Sequence, residues 1–212
     1  MAALVPTTEK GRATRERIVQ AAAELVAEKG AAATSLDDVG WRSGASRSQL
    51  YHYFEDRDDL IRAVIVATTE AVLGYQDRLL DDLDSWAGID RWFRALVDLQ
   101  IERRARGGCP IGTLAGQLAE RDPRARAAIA DGLDRWERQL RRGLERMQKR
   151  GKLSSAADPA KLATATMALL QGGLLLTQVR RDPQQLRIAL DAARTVLRSA
   201  GTSARSSSPA RT

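Results

Sequence analysis

The sequence predicts an all-α protein of about nine helices. Apolar residues recur at alternating three- and four-residue spacing along most of the chain, and helix-start and helix-stop signals separate these segments. No segment shows the strict alternation of apolar and polar residues that is typical of a half-buried strand. With 212 residues, 43% of them hydrophobic, the chain is long enough to bury a core.

The amino-terminal region contains three predicted helices in close succession. Residues 14–29 are amphipathic, and Gly30 follows them as a stop signal. Two patterns typical of a capping box, S-x-x-D at 35–38 and S-x-x-Q at 46–49, then predict two short helices, with Gly44 between them to end the first.

The two short helices form a helix-turn-helix unit in this interpretation. Helices of two turns are not stable alone, so they must pack against the preceding amphipathic helix. Residues 42–53 contain two arginines and no acid, although residues 1–60 as a whole carry ten acids against eight basic residues. Because this segment carries basic residues and no acid, the polar side of the second short helix can enter a major groove of DNA.

The remaining helices follow from caps and breaks further along the chain. A long helix is predicted from Asp56 to about residue 82 and another from about 87 to 104, and three later helices begin at Asp-Pro pairs, at 122–123, 158–159 and 182–183. Residues 162–179 carry no charge. Their threonines, glutamines and paired glycines favour a helix buried against another helix over a membrane span.

Four segments are expected from this order of elements. Residues 1–11 form a flexible arm, 12–60 the helix-turn-helix domain, 61–200 a helical ligand-binding and dimerisation domain, and 201–212 a Ser-rich disordered tail.

The amino-terminal region resembles the DNA-binding domain of TetR-type transcriptional regulators. The resemblance covers about 55 residues, from "TRERIVQAAAELVAEKG" through "TSLDDVGWRSGASRSQLYHYFEDRDDLIRAVI". The chain departs from the family pattern at four positions. Ser48 replaces the usual glycine, Gln49 the usual threonine, Gly40 the usual alanine, and Arg57 the usual lysine.

The resemblance implies a set of DNA contacts. Arg47, Ser48 and Gln49 would face bases, and Thr34, Tyr51, His52 and Arg57 would contact phosphates. Arg42 could contact either, and Lys10 and Arg12 in the arm could reach a minor groove. Tyr53 is open between DNA contact and local packing. Because Ser48 and Gln49 differ from the family pattern, the operator sequence cannot be deduced from those of relatives.

The carboxyl-terminal half is similar to that of lincomycin-resistance-type repressors. Such proteins are homodimers whose last two helices form a four-helix bundle across a two-fold axis. The interface residues expected on this basis are Gly172, Gly173, Leu176, Leu190 and Leu197. Apolar bulk on the middle helices gives candidates for a pocket that would take a small hydrophobic or aromatic ligand, although core packing explains the same residues: Tyr75, Trp92, Phe93, Leu96, Leu133 and Trp136.

The sequence therefore predicts a homodimeric repressor that a small hydrophobic ligand releases from a palindromic operator. The alternative is a DNA-binding dimer whose carboxyl-terminal domain recruits a protein partner. No nucleophile–base set, phosphate loop or metal-ligand cluster appears in the sequence, so neither an enzyme nor a metal or cofactor site is expected. A single cysteine and the lack of a long apolar leader favour the cytoplasm.

Overall fold

A computed structural model describes residues 6–201, and over these residues the protein is all-α, with nine helices. The fold class is therefore as predicted. The first five residues of the expected arm and residues 202–212 of the expected tail lie outside the described residues. The helices are α1 (Glu9–Lys29), α2 (Leu36–Ser43), α3 (Arg47–Tyr53), α4 (Arg57–Asp81), α5 (Trp86–Glu102), α6 (Pro110–Leu118), α7 (Pro123–Lys149), α8 (Pro159–Arg180) and α9 (Gln184–Ser199).

Helix α1 begins earlier than the sequence predicted. The hydroxyl of Thr8 accepts a hydrogen bond from the backbone N–H of Gly11 at 3.1 Å, so Thr8 serves as the N-cap and the helix begins at Glu9. The prediction that residues 9–11 belong to a flexible arm is wrong. The sequence signal for the earlier start is Thr8, a favourable N-cap residue three positions before the amide of Gly11.

Two of the three Asp-Pro pairs start helices as predicted. The carboxylate of Asp158 accepts hydrogen bonds from two amides of α8, with Pro159 in its first position, and the Asp122 carboxylate does the same for α7. In α9 the start is one residue later than predicted. Pro183 is the N-cap there, while the Asp182 carboxylate accepts from the amide of Gln184 at 2.9 Å.

The chain divides into two compact units. The first comprises residues 6–76 and Gly107–Trp136, which include α1, α2, α3, α6 and parts of α4 and α7. The second comprises Asp77–Arg106 and residues 137–201, which include α5, α8 and α9. The domain boundary expected after residue 60 stays a prediction.

Helices α8 and α9 pack along each other in the second unit. Gly173 permits this close approach, because a Cβ at that position would lie 2.7 Å from the Cβ of Ala189. By length and composition α8 is also apolar enough to cross a membrane, and one stripe of it is buried within the unit. The buried residues of α8 are Ala163, Thr166, Met167, Leu170, Gly173, Leu174 and Thr177.

Candidate DNA-binding surface

Both short helices begin at reciprocal caps, as the sequence predicted. The hydroxyl of Ser35 accepts from the amide of Asp38 at 3.1 Å, and the Asp38 carboxylate accepts from the amide of Ser35 at 3.0 Å. Ser46 and Gln49 form the same pair of bonds, at 3.2 and 2.9 Å. Gly44 ends α2 with a φ of 66°, in the left-handed region that favours glycine. Local hydrogen bonds thus fix the turn between α2 and α3.

A shared hydrophobic core holds α2 and α3 in place. The side chains of this core come from α1, α2, α3, the loops beside α3, and the start of α4. Each fully buried valine, leucine, isoleucine or phenylalanine among them contributes about 1.5–3 kcal/mol. Tyr53 belongs to this core, and its ring meets His52 edge-on with centroids 4.8 Å apart, so packing explains Tyr53. The core residues are Ile18, Val19, Ala22, Leu25, Val39, Ala45, Leu50, Tyr53, Phe54, Leu60 and Val64.

Helix α3 presents five exposed polar side chains from one short segment: Arg47, Ser48, Gln49, Tyr51 and His52. The guanidinium of Arg47 lies 5.8 Å from the centroid of the Tyr51 ring, within the range of a cation–π contact. No acidic residue lies within α3. The structure therefore brings together the predicted base-facing residues and two of the predicted phosphate contacts on one exposed surface, which we call the α3 face.

Gln49 has a second role that limits how it can read a base. Its side-chain oxygen accepts from the amide of Ser46, so in this conformation one of the two lone pairs of that oxygen is used, while both N–H groups of the side chain remain as donors. The two-bond pairing of glutamine with adenine needs the oxygen as well as the nitrogen. Gln49 can therefore donate to guanine O6 or N7 or to thymine O4 without change to the cap, whereas pairing with adenine has to share the capping oxygen.

Arg42 is held against α1 and is separate from the α3 face. Its guanidinium donates two hydrogen bonds to the carboxylate of Glu28, both at 2.9 Å, and lies 3.7 Å from Glu24. These bonds lower the pKa of Glu28 and raise that of Arg42. Lys29 lies 2.8 Å from Asp38, and its hydrogen bond, with those of Ser35, holds the pKa of the Asp38 carboxyl well below its usual range. Both pairs join α1 to α2.

Arg57 and Thr34 are engaged inside the protein. The Arg57 guanidinium donates through Nε to the carbonyl of Thr34 at 2.7 Å, and through one terminal nitrogen to the carbonyl of Ala31. Thr34 is 3% exposed, and its hydroxyl donates to the carbonyl of Gly30 at 2.9 Å. Gln117 of α6 accepts from the amide of Ala31 at 2.7 Å. In this conformation Arg57 and Thr34, the two predicted phosphate contacts, hold the loop between α1 and α2. We call the hydrogen bonds of Arg57 to this loop the Arg57 clasp.

Lys10 and Arg12 lie on α1 and are exposed. Arg12 donates to the carbonyl of Thr7 at 2.9 Å. A minor-groove contact by either residue stays a prediction, but it would have to come from the start of a helix, because both residues lie in α1.

The sequence interpretation missed three features of this unit. Arg17 donates to the carbonyl of Ser43, where α2 ends, and Arg15 lies 5.2 Å from the centroid of the Phe54 ring. Trp41 on α2 is 83% exposed. A helical projection would have found it, because Trp41 lies about 200° around the helix from the buried Val39.

Comparisons with known proteins agree with this architecture. Residues 18–64 match the family model described as bacterial regulatory proteins of the tetR family, and residues 86–193 match the tetracyclin repressor-like carboxyl-terminal domain.

The chain belongs to the TetR family.

Relatives in this family are regulators of transcription. An HTH-type transcriptional regulator of Mycobacterium tuberculosis is 34% identical over 182 residues, which span 79% of this chain and 86% of the relative. The transcriptional regulator AcuR of Cereibacter sphaeroides is 29% identical over 81% of this chain and 79% of its own length. The crystal structure of a TetR transcriptional regulator from Chloroflexus aurantiacus is 25% identical, with a TM-score of 0.74, over 92% of this chain and 98% of that chain. This TetR-family protein is a DNA-binding transcriptional regulator.

The residues expected to line a ligand pocket of this TetR-family protein fall into two groups. Trp92, Phe93 and Leu96 are buried in the second unit. In the first unit Trp136 is buried and Leu133 is half-buried, whereas Tyr75 is 55% exposed. Tyr75 thus lies on the outward side of α4, and its place in a ligand pocket stays a prediction.

The expected dimer interface needs correction at three positions. Leu190 and Leu197 are buried, at 2% and 0% exposure, and Gly173 packs against α9 of its own chain, so none of them is available to a partner. Gly172 and Leu176 are exposed, and their place in an interface stays a prediction. Six other apolar residues of α8 and α9 are also exposed, and together with these two they define what we call the α8–α9 face: Ala168, Leu175, Val179, Ile188, Ala192 and Val196.

Proposed function

We propose that the protein is a homodimeric repressor that reads a near-palindromic operator through the α3 face and is released by a small hydrophobic ligand. The observation that supports this proposal best is the α3 face itself. Five exposed polar side chains lie on a helix held by its own capping box and a buried core, and no acid lies within that helix. Such a surface suits the phosphates and base edges of a major groove. The protein acts in the cytoplasm, where its DNA lies.

Dimerisation is supported by the α8–α9 face. Leu175, Val179 and Ile188 are 60–71% exposed, which is unusual for large aliphatic residues on two packed helices. Contiguous exposed apolar surface of this kind marks a protein interface. In a two-fold dimer the same face meets itself, so two α3 faces are presented to one DNA duplex.

The symmetry of the operator tests this proposal. Duplex DNA selected from a random pool by the purified protein should contain a near-palindrome whose half-sites lie about 34–36 Å apart, or a multiple of that distance, because two equal α3 faces read it. Sequencing of the selected pool gives the result. A selected motif without dyad symmetry would contradict the homodimeric mode of reading.

The ligand is assigned to the apolar interior of the second unit. Trp92, Phe93 and Leu96 supply apolar and aromatic surface there. The side-chain oxygen of Gln100, a residue 2% exposed in the same unit, has no hydrogen-bond partner. An uncharged aromatic compound with one hydrogen-bond donor suits this environment, since a buried acceptor gains from a partner.

Release of DNA by such a ligand requires that ligand and operator weaken each other's binding. A compound at one hundred times its Kd should raise the free energy of unfolding by about 2.7 kcal/mol, and a thermal-shift screen of hydroxylated aromatic compounds detects this. Titration of a compound found in this way, with and without the selected operator, should then show weaker binding in the presence of DNA. Equal affinities in the two titrations would leave the alternative, a DNA-binding dimer that recruits a protein partner.

A further inference from the structure

Three side chains of the α3 face, Arg47, Ser48 and Gln49, form the first turn of α3. At about 100° per residue they spread over about 200° around the helix axis, with Ser48 in the middle. The buried Leu50 and Tyr53 occupy the remaining side. In a helix whose first turn enters a major groove, side chains spread in this way meet different base pairs. The hydrogen-bonding groups that each side chain has free then decide which base suits its position.

Arg47 offers only hydrogen-bond donors at its position. A guanidinium carries five N–H groups and no acceptor. Among the described residues no carboxylate forms an ion pair with Arg47. The guanidinium lies 5.8 Å from the centroid of the Tyr51 ring, and this contact keeps it on the exposed side of the helix. The base edge that takes two such donors is that of guanine, through O6 and N7.

Gln49 also favours acceptors, because the capping box occupies its oxygen. That oxygen accepts from the amide of Ser46 at 2.9 Å, whereas neither N–H group of the side chain has a partner among the described residues. Cytosine presents an amino donor and no acceptor in the major groove, and adenine requires the oxygen that Ser46 already uses. Guanine and thymine present acceptors, so they bind the free N–H groups and leave the cap unchanged.

We propose that the capping box of α3 makes Gln49 select guanine or thymine over adenine and cytosine, while Arg47 selects guanine at a separate position of the same half-site. The inference rests on the proposed reading of DNA by the α3 face, and it adds which base edges that face accepts. Gln49 stands where the TetR family usually has threonine, whose hydroxyl both donates and accepts. The preference at this position is therefore a property of this chain and not of the family pattern.

The variant Gln49→Glu reverses the chemistry of this position and keeps the cap. Glutamate is a usual partner of serine in a capping box, so the melting temperature should stay close to that of the wild type. Its carboxylate only accepts, so the preferred base should change from guanine or thymine to cytosine or adenine, which present amino donors. The ratio of affinities for the two kinds of base should reverse, with about 5- to 150-fold discrimination in each direction. Sequencing of duplexes selected from a random pool by each protein measures the exchange.

A pair of variants at Ser46 tests whether the cap itself is responsible. Ser46→Ala and Ser46→Pro both remove the hydroxyl that accepts from the amide of Gln49 at 3.2 Å. Only proline also removes the N–H that the Gln49 side chain binds, and the φ of Ser46, −69°, is one that proline adopts. In Ser46→Pro the Gln49 oxygen is free for the two-bond pairing with adenine. We therefore expect adenine to be accepted at this position by Ser46→Pro and to stay excluded by Ser46→Ala.

The variant Gln49→Ala identifies the position in question, because it should lose its preference there and nowhere else. Adenine as the base that the wild type prefers at this position would overturn the inference. Equal base preferences for the two Ser46 variants, or guanine or thymine retained by Gln49→Glu, would overturn it as well. If Ser46→Pro melts far below Ser46→Ala, the Gln49→Glu exchange decides alone.

These outcomes are distinct from a failure of the proposed function. A selected motif that keeps its dyad but has adenine opposite Gln49 contradicts only the inference about the cap. A pool without any enriched motif contradicts the reading of DNA by the α3 face, and the inference about the cap then fails with it. Wild-type preference at every position in Gln49→Ala would show that Gln49 contacts no base, which overturns the inference while the dyad test stays valid.

Discussion

Replacement of Arg57 by methionine should lower the free energy of unfolding by about 2 kcal/mol. The Arg57 clasp joins α4 to the loop between α1 and α2, and the variant leaves the carbonyls of Ala31 and Thr34 without their charged donor. Hydrogen bonds from charged groups contribute about 1.5–3 kcal/mol each, and the partial exposure of this side chain reduces the sum. Urea unfolding, followed by circular dichroism, measures the change.

The variant Arg57→Lys distinguishes the clasp from the phosphate contact that the sequence suggested. Lysine keeps the charge, so a phosphate contact would largely survive. Its single ammonium cannot reproduce the forked donation to two carbonyls, so the clasp would be lost. We expect Arg57→Lys to destabilise the protein nearly as much as Arg57→Met. The slope of log DNA affinity against log salt concentration, which we call the salt slope, should be unchanged in both variants.

Arg62→Met provides the control for the loss of an arginine on α4. Arg62 pairs only with Asp59 on its own helix, at 3.3 Å, and such a pair contributes about 0.3–0.5 kcal/mol. If Arg57→Lys retains wild-type stability and Arg57→Met reduces the salt slope by about one, the phosphate contact was the right interpretation.

The Arg57 clasp shows where prediction from the sequence ends. The two capping boxes, the glycine stop and the helix-turn-helix depend on residues within a few positions of one another, so the sequence contains all that is needed to predict them. The partners of Arg57 lie 23 and 26 residues away, and the partner of Gln117 lies 86 residues away. Only the packed structure shows that an arginine expected to meet phosphates meets backbone carbonyls.

The dimer interface shows a related limit. On α9 the periodic leucines at 186, 190 and 197 form the buried stripe, while Ile188 and Val196 lie on the opposite side. A hydrophobic period identifies the stripe that faces the core, and the exposed apolar residues beside it look irregular until the helix is placed. Residues 162–179 of α8 carry no charge on any side, so the sequence does not show which side of the helix is buried and which is exposed.

Two acidic substitutions on the α8–α9 face, Leu176→Asp with Val179→Asp, should convert the dimer to a monomer and reduce operator affinity by a factor of 10² to 10⁴. Burial of two unpaired carboxylates from each chain is strongly unfavourable, so association fails while each chain, which exposes both positions, keeps its fold. Light scattering after gel filtration should give 23.2 kDa in place of twice that mass. Fluorescence anisotropy with the selected duplex gives the affinity.

The matched control adds the same two charges elsewhere, as Val66→Asp with Ala71→Asp on the exposed side of α4. It should remain a dimer, and its affinity should fall only by the small factor that two added negative charges cause.

A half-site duplex completes the test. The monomeric variant should bind a half-site as well as the wild-type subunit does, because the α3 face is intact and only the link between two α3 faces is lost. If the monomer also loses half-site binding, the substitutions have disturbed the DNA-binding unit, and the loss of affinity says nothing about symmetry. If the double variant stays dimeric, the two chains meet through another surface, and the α8–α9 face has a different partner.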